Sequence, residues 1–135
     1  MKPIVCSLLL ASMFAAPSFA ADVLDNVRIR FAKQVYASQL ADVHDGQPQA
    51  LLRAVVALRI KLAPDGRWAA EVERKNHDTE MTLKALQSVV KLPVPDELSA
   101  AEIEALKDTG FVEIWLFDSD GRFALRTLAR EQRGR

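Results

Sequence analysis

The chain has 135 residues, half of them hydrophobic, with 18 basic and 18 acidic side chains and a single cysteine. That length suits one domain with a real apolar core. The charge balance leaves no electrostatic footprint for nucleic acid or for an anionic membrane surface.

Residues 1–20 read as a cleaved export signal. Lys2 supplies a short positive start, Ile4 to Ala16 an apolar stretch, and Ser18-Phe19-Ala20 a small-x-small cleavage site after Pro17. The stretch is shorter than the ~20 apolar residues a spanning helix needs. Cys6 lies too early for a lipoprotein cleavage site, so no lipid anchor is expected. Removing 20 of the 135 residues leaves 115, expected in the periplasm, with 17 basic against 18 acidic residues and no cysteine. Disulfides and thiolate catalysis then drop out. A single domain is expected over 21–128, with a polar, basic tail over 129–135.

Helix is expected over 22–43, capped by Asp22. Leu24, Val27, Phe31 and Val35 form one stripe, and Ile29, Ala32, Tyr36, Leu40 and Val43 a second beside it. Asp45-Gly46-Gln47-Pro48 ends it. Residues 54–74 then read as a β-hairpin, because Pro64 fixes φ early in the turn and Gly66 accepts the positive φ that closes a three-residue loop with a bulge. Pairing Ala63 with Arg67 sets Leu62 opposite Trp68, Ile60 opposite Ala70 and Leu58 opposite Val72 on an apolar face. Arg59 then faces Glu71 on a charged face, with Lys61 and Glu73 on the diagonal.

Asp78 or Thr79 is expected to cap a second helix with Glu80 in its first turn and Leu83, Leu86, Val89 and Val90 buried. Leu92-Pro93-Val94-Pro95 forces extended chain. Ser99-Ala100-Ala101-Glu102 is a capping box, Leu98 with Ile103 a hydrophobic staple, and Gly110 a left-handed stop. A second hairpin follows, with strands 111–117 and 122–128 around Asp118-Ser119-Asp120-Gly121. Its pentad Asp120-Gly121-Arg122-Phe123-Ala124 repeats the pattern of Asp65-Gly66-Arg67-Trp68-Ala69. In strand 111–117, Phe111, Trp115 and Phe117 point one way and Val112, Ile114 and Leu116 the other. Such a strand is expected either to be central and covered on both sides, the second side by helix 22–43, or to present a face that meets a partner.

The expected fold is α+β: an antiparallel sheet of about four strands, in two hairpins, packed with two to three helices. No catalytic set, metal site or cofactor site is expected. His44 and His77 read as surface residues, and two histidines in separate loops without cysteine do not make a zinc site. Glu71 and Glu73, opposed by Arg59 and Lys61, read as an ion-paired solvent face rather than an acid/base pair.

Taken together, the strand Val56 to Leu62, the turn Pro64-Asp65-Gly66, the return to Arg74, helix 80–91 with Leu83, Ala85, Leu86 and Val89, and the Leu-Pro-Val-Pro exit resemble the C-terminal periplasmic domains of TolA and TonB. The preceding helix and the Leu-Pro-x-Pro exit look more like TolA. The resemblance implies a binding module and not an enzyme, with a periplasmic or outer-membrane protein or peptide as partner and no small-molecule substrate or nucleic acid. It departs from both families in that neither an uncleaved membrane helix nor a long spacer is expected here, and in that a further strand is expected over 122–128. The alternative is a small periplasmic inhibitor or accessory subunit of an envelope enzyme. Strand addition needs an unpaired edge. The two hairpins each own one outer strand, and the expected contact is the edge 122–128, where Arg122, Ala124, Arg126 and Leu128 alternate basic with apolar as would suit an acidic peptide, with Trp115 and Phe117 beside it. The competing reading is that these arginines protect the edge from unwanted pairing. A homodimer contact through strand 111–117 is left open.

Overall fold

The computed structural model describes residues 23–44 and 51–133. The expected export signal, the Asp22 cap and the turn at 45–48 lie outside them. In chain order the elements are α1 (Asp25–Ser38), a 3-10 turn (Leu40–Asp42), β1 (Ala54–Leu62), β2 (Trp68–Val72), α2 (Thr79–Val90), α3 (Ala100–Asp108), β3 (Phe111–Phe117), β4 (Phe123–Leu125) and α4 (Arg126–Arg133). The strands form one antiparallel sheet in the order β2-β1-β3-β4. The fold is α+β, as the sequence leads one to expect.

Local chemistry sets the first hairpin. Leu62 pairs with Trp68, Ile60 with Ala70, Arg59 with Glu71 and Leu58 with Val72, in the expected register. Ala63 N–H donates to Arg67 O at 2.8 Å, Gly66 N–H to Ala63 O at 2.9 Å, and Gly66 has φ +85°. The second turn repeats this bond for bond: Asp118 N–H to Arg122 O at 2.8 Å, Gly121 N–H to Asp118 O at 3.0 Å, and Gly121 at φ +85°. In each, an aspartate (Asp65, Asp120) accepts from the arginine N–H two residues on. The repeated pentad is therefore one turn chemistry used twice.

The four helices of the described residues lie on one face of the sheet. Phe31 of α1 meets Trp68, Phe111 and Trp115 edge-on, with centroids 5.3, 5.4 and 6.4 Å away. Ser88 of α2 accepts the Trp115 indole N–H at 3.1 Å. Arg30 of α1 reaches Glu102 of α3 at 3.6 Å, and Thr127 of α4 lies against Glu113 on the same side of β3. Helix α1 thus covers the Phe111/Trp115 face, not the opposite one as expected. Val112, Ile114 and Leu116 are left half-buried and Val55 exposed on the far face. The stripe Leu24, Val27, Phe31 and Val35 is buried, while Leu40 of the second stripe is exposed in the 3-10 turn.

Helix α2 shows how strongly tertiary packing overrides a stripe. Its buried side is Met81, Ala85, Ser88 and Val89, with Leu83 and Val90 exposed. Ser88 enters the core on this side, where it accepts the Trp115 indole N–H, while Val89 stays buried and Leu86 half-buried. The start signals hold: Asp78 caps α2 through Met81 N–H, and Ser99 and Glu102 form the capping box of α3.

Candidate functional site

The expected partner edge, 122–128, is not a strand along its length. β4 is three residues long, and at Arg126 the chain turns into α4, carrying Leu125, Leu128 and Ala129 into the core. Arg122 stays in the turn, exposed and bound to Asp120 at 2.8 Å. Ala124 is buried, Arg126 is the exposed first residue of α4, and Leu128 is buried in the helix. Trp115 and Phe117 are fully buried, the first bonded to Ser88 and the second packed on Phe123 at 5.6 Å. These six residues make no common surface. The spacing 125, 128, 129 is the helical signal that alternation concealed, and it places residues 129–133 in a helix rather than a tail.

The outer edge of β4 is also closed by the chain's own residues. Parity assigns the outward groups to Phe123 and Leu125, because Asp118 and Arg122 bond inward across the turn. His44 N–H donates to Phe123 O at 2.7 Å, where Val43 forms a parallel bridge. The Tyr36 hydroxyl accepts the Leu125 N–H at 2.9 Å. His44 Nδ1 lies 2.7 Å from the buried Asp118 carboxylate, so His44 is a half-buried fastener of this edge rather than the surface residue expected. His77 is exposed.

The opposite edge has a different character. Hydrogen bonds from Ala63 to Arg67 and from Glu73 to Ala57 show that odd-numbered residues of β2 bond inward to β1. The N–H and C=O groups of Trp68, Ala70 and Val72 therefore point outward. Among the described residues no backbone partner meets them. Val72 is 42 % exposed there. The charged face beneath this edge is ion-paired, though along the diagonal: Arg59 binds Glu73 at 2.9 and 2.7 Å instead of its direct opposite Glu71. The Arg59 guanidinium holds the Glu73 carboxyl below its ordinary range, which keeps it ionised.

Near α2, Lys84 and Asp42 are committed to each other. A groove of about 500 Å³ between α2 and the β3–β4 turn is lined by charges of both signs, and its Lys84 is held by Gly121 O at 2.7 Å and Asp42 at 3.3 Å. Among the described residues no three His, Cys, Asp or Glu side chains are grouped to hold a metal, and no helix is long and apolar enough to cross a membrane.

Glu113 is an unusual residue in this strand. It is 2 % exposed on the core side of β3, where Oε1 accepts Ile114 N–H at 2.9 Å and Thr127 N–H at a long 3.4 Å, while Oε2 is buried without a hydrogen bond among the described residues. Burial pushes its carboxyl up from the ordinary value, against the opposing pull of Thr127, Ile114 and the Arg28 charge. A raised folded-state pKa means that the native chain holds this proton more tightly than the unfolded one. The contribution to stability is present below the ordinary carboxylate pKa and is lost as pH rises through the folded value. Glu113→Gln is therefore expected to gain stability relative to the parent as pH goes from acid to neutral, read as urea midpoints of both proteins over that range. Midpoints that run parallel with pH would remove this role for Glu113.

Comparison with protein-family models, with curated proteins and with solved structures finds no match to the chain. Fold and site together define an α+β domain with helices on one side of its sheet, one sheet edge sealed by its own chain and the other unpaired among the described residues.

Proposed function

We propose that this chain is an exported protein-binding module of the cell envelope that accepts an extended segment of a periplasmic or outer-membrane protein as an added strand beside β2. The observation that carries the reading is the outward row of N–H and C=O groups at Trp68, Ala70 and Val72. An incoming strand satisfies such groups directly, and main-chain bonds supply affinity while side-chain pockets supply selectivity. The contact moves from β4 to β2 because Val43, His44 and Tyr36 already occupy the β4 edge. The likeness to TolA and TonB domains supports the same class of role through the hairpin, helix and Leu92-Pro93-Val94-Pro95 exit.

Ala70→Pro tests the reading. The substitution removes an N–H that faces away from β1, a place where sheets tolerate proline. Far-UV circular dichroism is expected to be unchanged, and capture of the partner from envelope extract to fall at least about tenfold, since central main-chain bonds to the new strand are lost. A folded Ala70→Pro that captures the same protein equally well overturns strand addition at β2.

A further inference from the structure

We propose that two copies of the chain pair through β2 about a two-fold axis centred on Ala70, joining their sheets into one of eight strands. This rests on the reading of β2 as an open edge and names a second copy as an occupant of it. An isologous contact between identical edges must run antiparallel. The outward groups of 68, 70 and 72 must then bond to one another, which restricts the axis to a whole residue position and leaves a few registers to compare.

Charge decides among those registers. Centred on Ala70, the pairing places Arg67 of each copy opposite Glu73 of the other, and brings Asp65 toward Lys75, while Ala69 faces Glu71. Centred on Ala69, it sets Arg67 against Glu71 but also Asp65 against Glu73, so a favourable pair is offset by a like-charge one. Centred on Glu71, it sets Glu71 against itself and Arg67 against Lys75. Like charges directly opposite on a sheet are destabilising and opposite charges stabilising, so the Ala70 register is selected. Arg67 is exposed, and among the described residues its side chain has no ion-pair partner. Glu73 already accepts from Arg59, and a carboxylate with two oxygens can take a second guanidinium. In the same register the odd positions are non-hydrogen-bonded pairs, where side chains stand closer.

The apolar side agrees. The exposed Val72 of one copy comes beside Trp68 of the other, an aromatic and β-branched pair of the kind that stabilises neighbouring strands. At the axis stand two alanines, the smallest side chains of β2, so nothing holds the backbones apart. Self-pairing and capture of a foreign strand use the same groups and exclude each other. The dimer is thus a resting form that shields an aggregation-prone edge.

The test reads association by sedimentation velocity at high micromolar protein, because pairing along one short edge buries less than a standard interface. The parent protein is expected to dimerise, more weakly as salt is raised. Arg67→Glu puts two like-charge pairs across the axis and is expected to weaken the dimer about tenfold or more. Glu73→Arg does the same from the other side. Mixing the two variants restores dimer. The carboxylate introduced at position 67 of one copy then faces the guanidinium introduced at position 73 of the other, and the second pair keeps its native Arg67 and Glu73. Should Glu73→Arg fail to fold by circular dichroism, Ala70→Pro, which removes the central N–H, is the second variant and is expected to be monomeric. A monomeric parent, an Arg67→Glu protein that dimerises as tightly as the parent, or a mixture of folded variants that stays monomeric overturns the proposal. Capture from envelope extract by Arg67→Glu separates the two readings: a variant that no longer dimerises and still captures shows strand addition without this register of self-pairing.

Discussion

Gly110→Ala is expected to destabilise the domain by about 2–4 kcal/mol, the sum of left-handed backbone strain for a residue with a Cβ and the displacement of packed neighbours. Gly110 ends α3 at φ +64°, with its N–H on Ala105 O at 2.9 Å. A Cβ built there collides with the carbonyl oxygen of Ile60 and lies 2.8 Å from Lys61 Cγ. The lysine can move, but the Ile60 carbonyl belongs to β1 where Phe111 pairs with it, so relief means shifting the central strands. Gly66→Ala is the matched control. Its φ is +85° but nothing lies within 4 Å of the added carbon, so it bears the backbone strain without the collision, about 1–2 kcal/mol. Urea denaturation with an unchanged slope checks both. Equal midpoints for the two variants would show that α3 can lift away from β1 freely.

That contrast also marks what the amino-acid sequence carries. Gly110, the turn at Pro64-Asp65-Gly66 and the capping box at Ser99 are each legible, because the physics is contained within a few residues. The β1/β2 register follows from the turn for the same reason. What escaped depends on distant partners. Leu125 N–H is satisfied by Tyr36, 89 residues away, so no local pattern announces that the β4 edge is shut. Residues 122–128 alternate in charge and apolarity, yet the strand gives way at Arg126, where the chain turns into α4 and Leu128 and Ala129 enter the core. Glu113 is the most informative miss. It shares a face with Phe111, Trp115 and Phe117, and an acid among them signals a buried partner, here the first turn of α4. Of the candidate site, the idea of an edge came from the sequence, and the choice between edges needed the hydrogen bonds of residues 43, 44 and 36.

Phe31→Ala is expected to destabilise the domain by about 3–5 kcal/mol through the lost burial and the cavity it leaves. Its ring touches three aromatics at once, and edge-on contacts of this kind add about 0.5–1.5 kcal/mol each beyond area. Against a total stability of roughly 5–15 kcal/mol for a domain this size, that loss leaves little in reserve. The consequence reaches the binding edge through Trp68. That residue begins β2, is 5 % exposed, and is held from one side by Phe31 and from another by the Pro93 carbonyl, which accepts its indole N–H at 3.3 Å. Removing Phe31 frees the ring that anchors the outward row at its first residue. Both tryptophans of the chain contact Phe31, so near-UV circular dichroism is expected to collapse while far-UV signal persists at low temperature. Leu40→Ala, at a side chain 75 % exposed, is expected to change the urea midpoint by less than about 0.5 kcal/mol equivalent. If Phe31→Ala matches that control, α1 is not the lid of this core, and Trp68 and the β2 edge are positioned by Pro93 and the sheet without it.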